Sequence, residues 1–302
     1  MRLEVRLFGG LTERAGASRL TVELPEHATV AELRTALAAQ HPPVAGLLAR
    51  TSVTVDLQVA ADDETVTETA QVALLPPVAG GAQAESGPTD DAPAGVDVRP
   101  RVRGDGRRAL TGLRPPPLPV ERAVEAVGSP SAGGVVSFVG RVRDHAPDLA
   151  QPVVGLDYEA YPEMAERVLA EIADEILAEH AEVLGAVLLH TVGRLAVGEH
   201  TILVACAAAH RGPAFDACRE ALERTKDRVP VFKREIVASG DHRWVGLDDP
   251  PQRDGQPDAS SPTTSSSSAT SEIPTATTPV SRTSPARTGE EPARSAASRR
   301  RR

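Results

Sequence analysis

Leu74-Leu75-Pro76-Pro77-Val78-Ala79-Gly80-Gly81 lies in the interior of a 302-residue chain, and its interpretation decides the fold. Two prolines stiffen a short apolar arm, and two glycines without Cβ thin its tip, a shape suited to a narrow slot. Taken alone, the same composition also marks the start of a linker. The preceding residues discriminate. Leu3, Val5 and Leu7 alternate with Arg2, Glu4 and Arg6, the period of a half-buried strand ended by Gly9-Gly10. Leu20, Val22 and Leu24 repeat the pattern, which predicts a hairpin across Gly16. Thr29-Val30-Ala31-Glu32 has capping-box spacing, and Val30, Leu33, Ala36 and Leu37 follow at helical intervals. After Pro42-Pro43, residues 53–59 and 71–75 predict two more strands, the last running into the arm. The order is ββαββ.

With its Phe8-Gly9-Gly10 near the start and Pro76-Pro77-Val78-Ala79-Gly80-Gly81 at the end, this segment resembles the β-grasp, ubiquitin-like sulfur carriers, above all the small subunit of molybdopterin synthase. The resemblance covers residues 1–81. It implies that the last glycine is adenylated by a partner enzyme and converted to a thiocarboxylate, the sulfur donor. That chemistry requires a free carboxyl on Gly81, which is here an amide to Ala82. Cleavage after Gly81 is therefore expected if the carrier is to be charged.

Residues 82–107 shift to Ala, Gly, Pro, Asp, Ser and Arg and predict a flexible linker, with too little apolar surface to offset the entropy of ordering. Residues 108–247 form a second patterned region. A short helix is predicted near 119–127, strands at 133–145 and 153–159, and a long helix opening at Tyr161-Pro162, with Met164, Val168, Leu169, Ile172, Ile176 and Leu177 as its buried stripe. Met164 is expected in the core. Near-continuous apolar runs at 186–191 and 201–208 predict central strands. A helix over 213–228 is expected to turn Phe215, Cys218 and Leu222 inward, and strands follow at Val231 and Arg243.

Several residues of this region invite chemistry. His210-Arg211 stands between a buried strand and a helix start, where backbone N–H groups and the helix dipole favour an anion, although such a loop also merely caps helices. Arg141 and Arg143 alternate along one strand. Lys226 and Lys233 are the only lysines among 33 Lys and Arg. Lysine, unlike arginine, loses its proton at an attainable pKa, which suits acid, base or nucleophilic work. Taken in order, Gly140-Arg141-Val142-Arg143-Asp144-His145, Tyr158-Glu159-Ala160-Tyr161-Pro162-Glu163-Met164, Ala209-His210-Arg211-Gly212-Pro213-Ala214-Phe215 and Lys226 followed after six residues by Lys233-Arg234-Glu235 resemble the large, catalytic subunit of molybdopterin synthase. The resemblance implies an α/β hammerhead-type catalytic domain and an α+β chain that combines both subunits. It further implies conversion of cyclic pyranopterin monophosphate, precursor Z, into molybdopterin by addition of two dithiolene sulfurs. Lys226 and Lys233 match the family's catalytic lysines; Arg143, His210 and Arg211 match its substrate-binding residues. Arg141 matches a basic position that is not ranked with these. The family's large subunit dimerises, so self-association is expected, a heterotetramer once cut.

No permanently bound cofactor is expected, the sulfur travelling on Gly81, and no metal site, because the histidines are scattered and Cys206 and Cys218 sit in apolar patterns. The formal charge of −9 argues against general nucleic-acid binding. Residues 248–302, rich in Ser, Thr and Pro and closing on four arginines, are expected to be disordered. With no long apolar run and a strand at the start, a cytoplasmic, membrane-free location is expected. Two alternatives remain open on sequence: a carrier protein whose second domain only docks it, and a ubiquitin-like modifier.

Overall fold

The computed structural model describes residues 1–77, 99–147 and 149–247. Gly80 and Gly81, linker residues 82–98 and the tail 248–302 lie outside the described residues. The N-terminal part is a β-grasp. Strands β1 (Arg2–Leu7), β2 (Arg19–Glu23), β3 (Ser52–Val55), β4 (Gln58–Val59) and β5 (Val72–Leu75) form a sheet in the order β2-β1-β5-β3-β4, crossed by helix α2 (Val30–Gln40). β1 runs antiparallel to β2 and parallel to β5, with Val5 opposite Val72. The alternation of β1 buries Leu3, Val5 and Leu7 against Val30, Leu33 and Leu37 of α2. The capping box forms: Glu32 N–H donates to Thr29 Oγ1 at 3.3 Å and Thr29 N–H to the Glu32 carboxylate at 2.7 Å.

Two local expectations are corrected. β1 and β2 pair, but helix α1 (Gly10–Ala15) fills their connection, closed by Gly16 at φ 67°. The run 53–59 is two strands, because Asp56 and Leu57 take positive φ of 48° and 68° and fold β4 back on β3 through a two-residue turn. A short helix α3 (Pro42–Ala45) and a 3₁₀ turn over Leu48–Arg50 connect α2 to β3.

The second part begins earlier than composition indicates. Strand β6 (Arg101–Val102) pairs with β7 (Arg108–Arg114), so residues 101–107, assigned to the linker on composition, are a hairpin of the second sheet. It needs little apolar surface because Arg101 and Arg103 both pair with Asp174. Next come α4 (Val120–Ala126), β8 (Gly134–Arg141), β9 (Val153–Ala160), α5 (Pro162–Glu179), β10 (Val183–Thr191), β11 (Gly193–Ala196), β12 (His200–Ala208), α6 (Arg211–Arg228), β13 (Val231–Val237) and β14 (His242–Trp244). One sheet runs β6-β7-β10-β12-β8 and another β11-β9-β13-β14, with α5 and α6 packed on them. The apolar runs β10 and β12 are central strands, and Met164 of α5 is core, 5% exposed. Phe215 is a correction: it is 57% exposed, since α6 turns Ala214, Ala217, Cys218, Ala221 and Leu222 inward, and position 215 lies about 100° round the helix from 214.

The two parts share a core. Phe8, Ala73 and Leu75 of the β-grasp join the cluster containing Tyr161, Met164 and Phe232. The Phe8 ring stacks on Tyr161 with centroids 4.8 Å apart and on Phe232 at 6.0 Å, and the Arg6 guanidinium lies 4.5 Å from the Tyr161 ring centre. Arg6 also pairs with Glu163 at 3.2 Å. Further along, Trp244 Nε1–H donates to Glu13 at 2.6 Å, and Arg50 donates to the carbonyls of Gly246 and Leu247. Gly10 brings the backbone close under these groups: a Cβ would stand 2.5 Å from Leu247 Cδ2 and 3.0 Å from Trp244 Cδ1. The Phe8-Gly9-Gly10 stretch that ended a strand on sequence is thus the contact point of the seam.

Candidate active site

Strand alternation gives the β9–β13 pair two working faces. Phe232 points to the β-grasp and stacks on Phe8, while its neighbour Val231 lines a cavity of about 240 Å³ on the opposite face. Tyr158 of β9 lines this cavity too, and Lys233 is its cross-strand partner, hence on the same face. α6 contributes Thr225 and Lys226 from its last turn, β8 contributes Phe138, Gly140 and Arg141, and β10 contributes His190. Lys226 Nζ is 5.9 Å from the Phe138 ring centre. The walls combine cations, hydroxyls and apolar surface, a mixture suited to an anionic ligand with an apolar part.

A groove of about 360 Å³ opens on the seam side, lined by Leu75 and Pro76 of the β-grasp with Met164, Arg167, Asp227 and Pro230. The two hollows share a wall. Val229 and Val231 line the cavity and Pro230 the groove; Lys226 lines the cavity and Asp227 the groove. The described end of the arm therefore lies one wall away from Lys226.

Electrostatics separates the other polar groups. Glu235, 5% exposed, accepts from Lys233 Nζ at 3.0 Å and from Arg243 at 2.9 Å, a buried carboxylate shared by two cations. Burial pushes the Tyr158 phenol up, against a hydrogen bond with Thr201, and nearby Glu235 adds to the rise. His190 is driven down to about 4 by burial, although its bond to the Thr191 carbonyl opposes the shift. On the seam face, burial raises Glu159 to about 7, partly offset by the Gly9 N–H and reinforced by Asp157.

The remaining sequence candidates are not gathered at this cavity. Arg143 is exposed beyond the end of β8, and it is Arg141, unranked on sequence, that lines the cavity. His210 is the N-cap of α6 and Arg211 its first residue, so the expected strand-to-helix position is found. Lys226 lies fifteen residues further along the same helix, about 22 Å away at 1.5 Å per residue. Within one copy the pair and Lys226 cannot touch one small ligand. His190, Tyr158, Thr201 and Glu235 were missed as individual site residues. Tyr158 and Glu235 stood inside stretches that carried the resemblance, and Glu235 also lies two strand residues from Lys233.

Residues 113–228 match the MoaE protein family and residues 5–81 the ThiS family. The molybdopterin synthase catalytic subunit of Pyrococcus abyssi is 42% identical over 132 residues, 44% of this chain and 86% of that protein. Molybdopterin synthase catalytic subunit 1 of Mycobacterium tuberculosis is 37% identical over 145 residues, 48% of this chain and 96% of that protein. The crystal structure of molybdopterin synthase from Staphylococcus aureus is 32% identical, covering 44% of this chain and 94% of its own, with a TM-score of 0.41. With both matches inside one polypeptide, the chain belongs to the MoaE family of molybdopterin synthase catalytic subunits and carries a ThiS-family β-grasp domain ahead of it.

Proposed function

We propose that this chain makes molybdopterin from cyclic pyranopterin monophosphate with sulfur carried on its own β-grasp domain. The observation that carries this is the shared wall: Leu75 and Pro76 line the groove, Lys226 lines the cavity, and Val229-Pro230-Val231 stands between them. Five residues from Pro76 to Gly81 reach at most ~17 Å, enough to pass one side chain layer. In this reading a partner enzyme adenylates Gly81 and a thiocarboxylate replaces its carboxylate. The sulfur attacks an oxygen-bearing side-chain carbon of the substrate, forming a C–S bond as the C–O bond breaks and the oxygen leaves protonated, as water or with the phosphate. The resulting thioester is hydrolysed by water, which leaves sulfur on the substrate and returns Gly81 as a carboxylate. A second charged carrier repeats the step for the second dithiolene sulfur.

Lys226, which lines the cavity, would offer a proton or a positive charge to the oxyanion and leaving group as sulfur is transferred. Lys233, oriented by Glu235, adds a second cation on the same face. Because Gly81 requires a free carboxyl, the working enzyme is cut after it, and the β-grasp remains docked through the seam. Nothing in the scheme uses a resident cofactor, and the reaction takes place in the cytoplasm.

Two copies complete the site. β8 is an edge strand that exposes Phe138, and α6, which packs against it, exposes Phe215. Along this strip where α6 packs on β8, Phe215 lies one turn from His210 and Arg211, and Phe138 lies by Lys226 at the cavity. Joined by a two-fold axis, each copy presents its His210 and Arg211 to the other's cavity, where they and Arg143 bind the substrate's phosphate.

The test is single-turnover conversion of precursor Z by the cut protein with thiocarboxylated residues 1–81. Lys226→Ala is expected to lower the rate at least about 100-fold with the seam intact. Full conversion by that variant would leave the second domain as a mere dock.

A further inference from the structure

The cavity is rich in donors and poor in fixed acceptors. Arg141 and Lys226 can only donate, and the Tyr158 and Thr201 hydroxyls bond to each other, which uses part of their acceptor capacity. His190 differs. Its Nδ1 is 2.8 Å from the Thr191 carbonyl, an oxygen that can only accept, so Nδ1 carries the proton. The neutral ring then presents Nε2 as a lone pair. Nε2 has no hydrogen-bond partner among the described residues, and the side chain lines the cavity with Lys226. The ring is also fixed in tilt: it meets Tyr158 edge-on, centroids 4.9 Å apart.

We propose that His190 is a specificity-determining binding residue whose Nε2 accepts a hydrogen bond from a ring N–H of the pterin. This rests on the proposed substrate class. A 2-amino-4-oxopterin carries an N–H-rich edge, and Nε2 offers it a ring lone pair of fixed direction in a cavity whose charged groups only donate. Leaving either partner unpaired in a buried site is costly, so the acceptor selects for the aminopyrimidine edge. Burial keeps the ring neutral down to about pH 4, so the acceptor is present across the working range.

The experiment compares the cut, dimeric wild-type protein with His190→Leu and His190→Gln, reading KM and kcat for precursor Z separately, with thermal melting alongside. Leucine removes the acceptor at similar volume, whereas the glutamine amide places an oxygen near the Nε2 position. His190→Leu is expected to raise KM about 100-fold with kcat changed less than about threefold, and His190→Gln to recover most of the loss. A folded His190→Leu within about twofold of wild type in KM overturns the assignment. If His190→Leu does not fold, wild-type KM against pH and His190→Gln decide. Flat KM from pH 5.5 to 8 with near-normal KM for His190→Gln supports it. A KM that rises as pH falls through 6.5, or a folded His190→Gln with a 100-fold loss, overturns it. Failure of wild type to convert precursor Z would instead overturn the proposed function and is seen separately.

Discussion

Glu235 is the residue on which the cavity's charge balance turns. It is 5% exposed and holds Lys233 at 3.0 Å and Arg243 at 2.9 Å. Removing one member of such a group leaves buried charge uncompensated, which typically costs about 3–5 kcal/mol, less for a partial change. Glu235→Gln keeps the shape and one acceptor but drops the charge. Its expected effect is a loss of about 2 kcal/mol in denaturant unfolding and at least a tenfold drop in turnover. A variant with unchanged turnover would mean that Lys233 needs no orienting partner. Some of this site was legible in the sequence. The two lysines stood out because arginine fills every other basic position, and Glu235 lies two strand residues from one of them. His190 and Arg141 were not legible as cavity residues, because a residue's face depends on where a strand starts and which strand it pairs with.

At the scale of elements, the same dependence decides β8 and α6. Helical spacing placed Phe215 with Cys218 and Leu222, yet the buried stripe is built from Ala214, Ala217, Ala221 and the same two residues, which leaves Phe215 outside. Small alanines hid the stripe, since hydrophobic period is read most easily from large side chains. Two short elements escaped for a related reason. The β3–β4 turn uses Asp56-Leu57 rather than a glycine, and the β6–β7 hairpin is held by arginine pairs to Asp174 rather than by a core. The long strands and helices were legible because their periodic runs exceed one turn or one pleat many times over. The misplaced phenylalanine gives a test of the β8–α6 strip. Phe215→Glu puts a charge on the strip where, under the proposed function, a second copy packs, without touching the core. Sedimentation velocity is expected to show a monomer where wild type is a dimer, with substrate turnover falling in parallel. A dimer that survives the substitution would place the interface elsewhere.

For the whole molecule, the seam between β-grasp and MoaE domain is the contact that, under the proposed function, must hold during sulfur transfer and release for recharging. Glu159 sits in it, accepting a 3.4 Å bond from Gly9 N–H. Its carboxyl is raised from 4.5 to about 7, mainly by burial, with the Gly9 N–H opposing and Asp157 adding to the rise. Other charged groups along the seam include Arg6 with Glu163, Glu13 with His242 and near Arg234, Arg50 on the Gly246 and Leu247 carbonyls, and Arg167 on the Leu57 carbonyl. Burial alone would raise Glu13 as well, but its bonds from Trp244 and His242 lower it on balance. The sign for Glu159 follows from proton linkage. Docked protein holds this proton more tightly than undocked protein, whose exposed carboxyl titrates near 4.5. Docking is therefore fully favoured below that value and weakens as pH rises from 4.5 through about 7. For the pieces separated by a cut after residue 81, titration calorimetry is expected to give a Kd on the order of tenfold weaker at pH 8 than at pH 5.5. Glu159→Gln mimics the protonated form, so it should flatten this dependence and tighten docking at pH 8. Because the substitution leaves Glu13 and His242 in place, any slope that remains in Glu159→Gln belongs to that pair. An unaltered slope would show that Glu159 does not gate the seam, whereas its loss would make release of the spent carrier a consequence of one buried proton leaving at neutral pH.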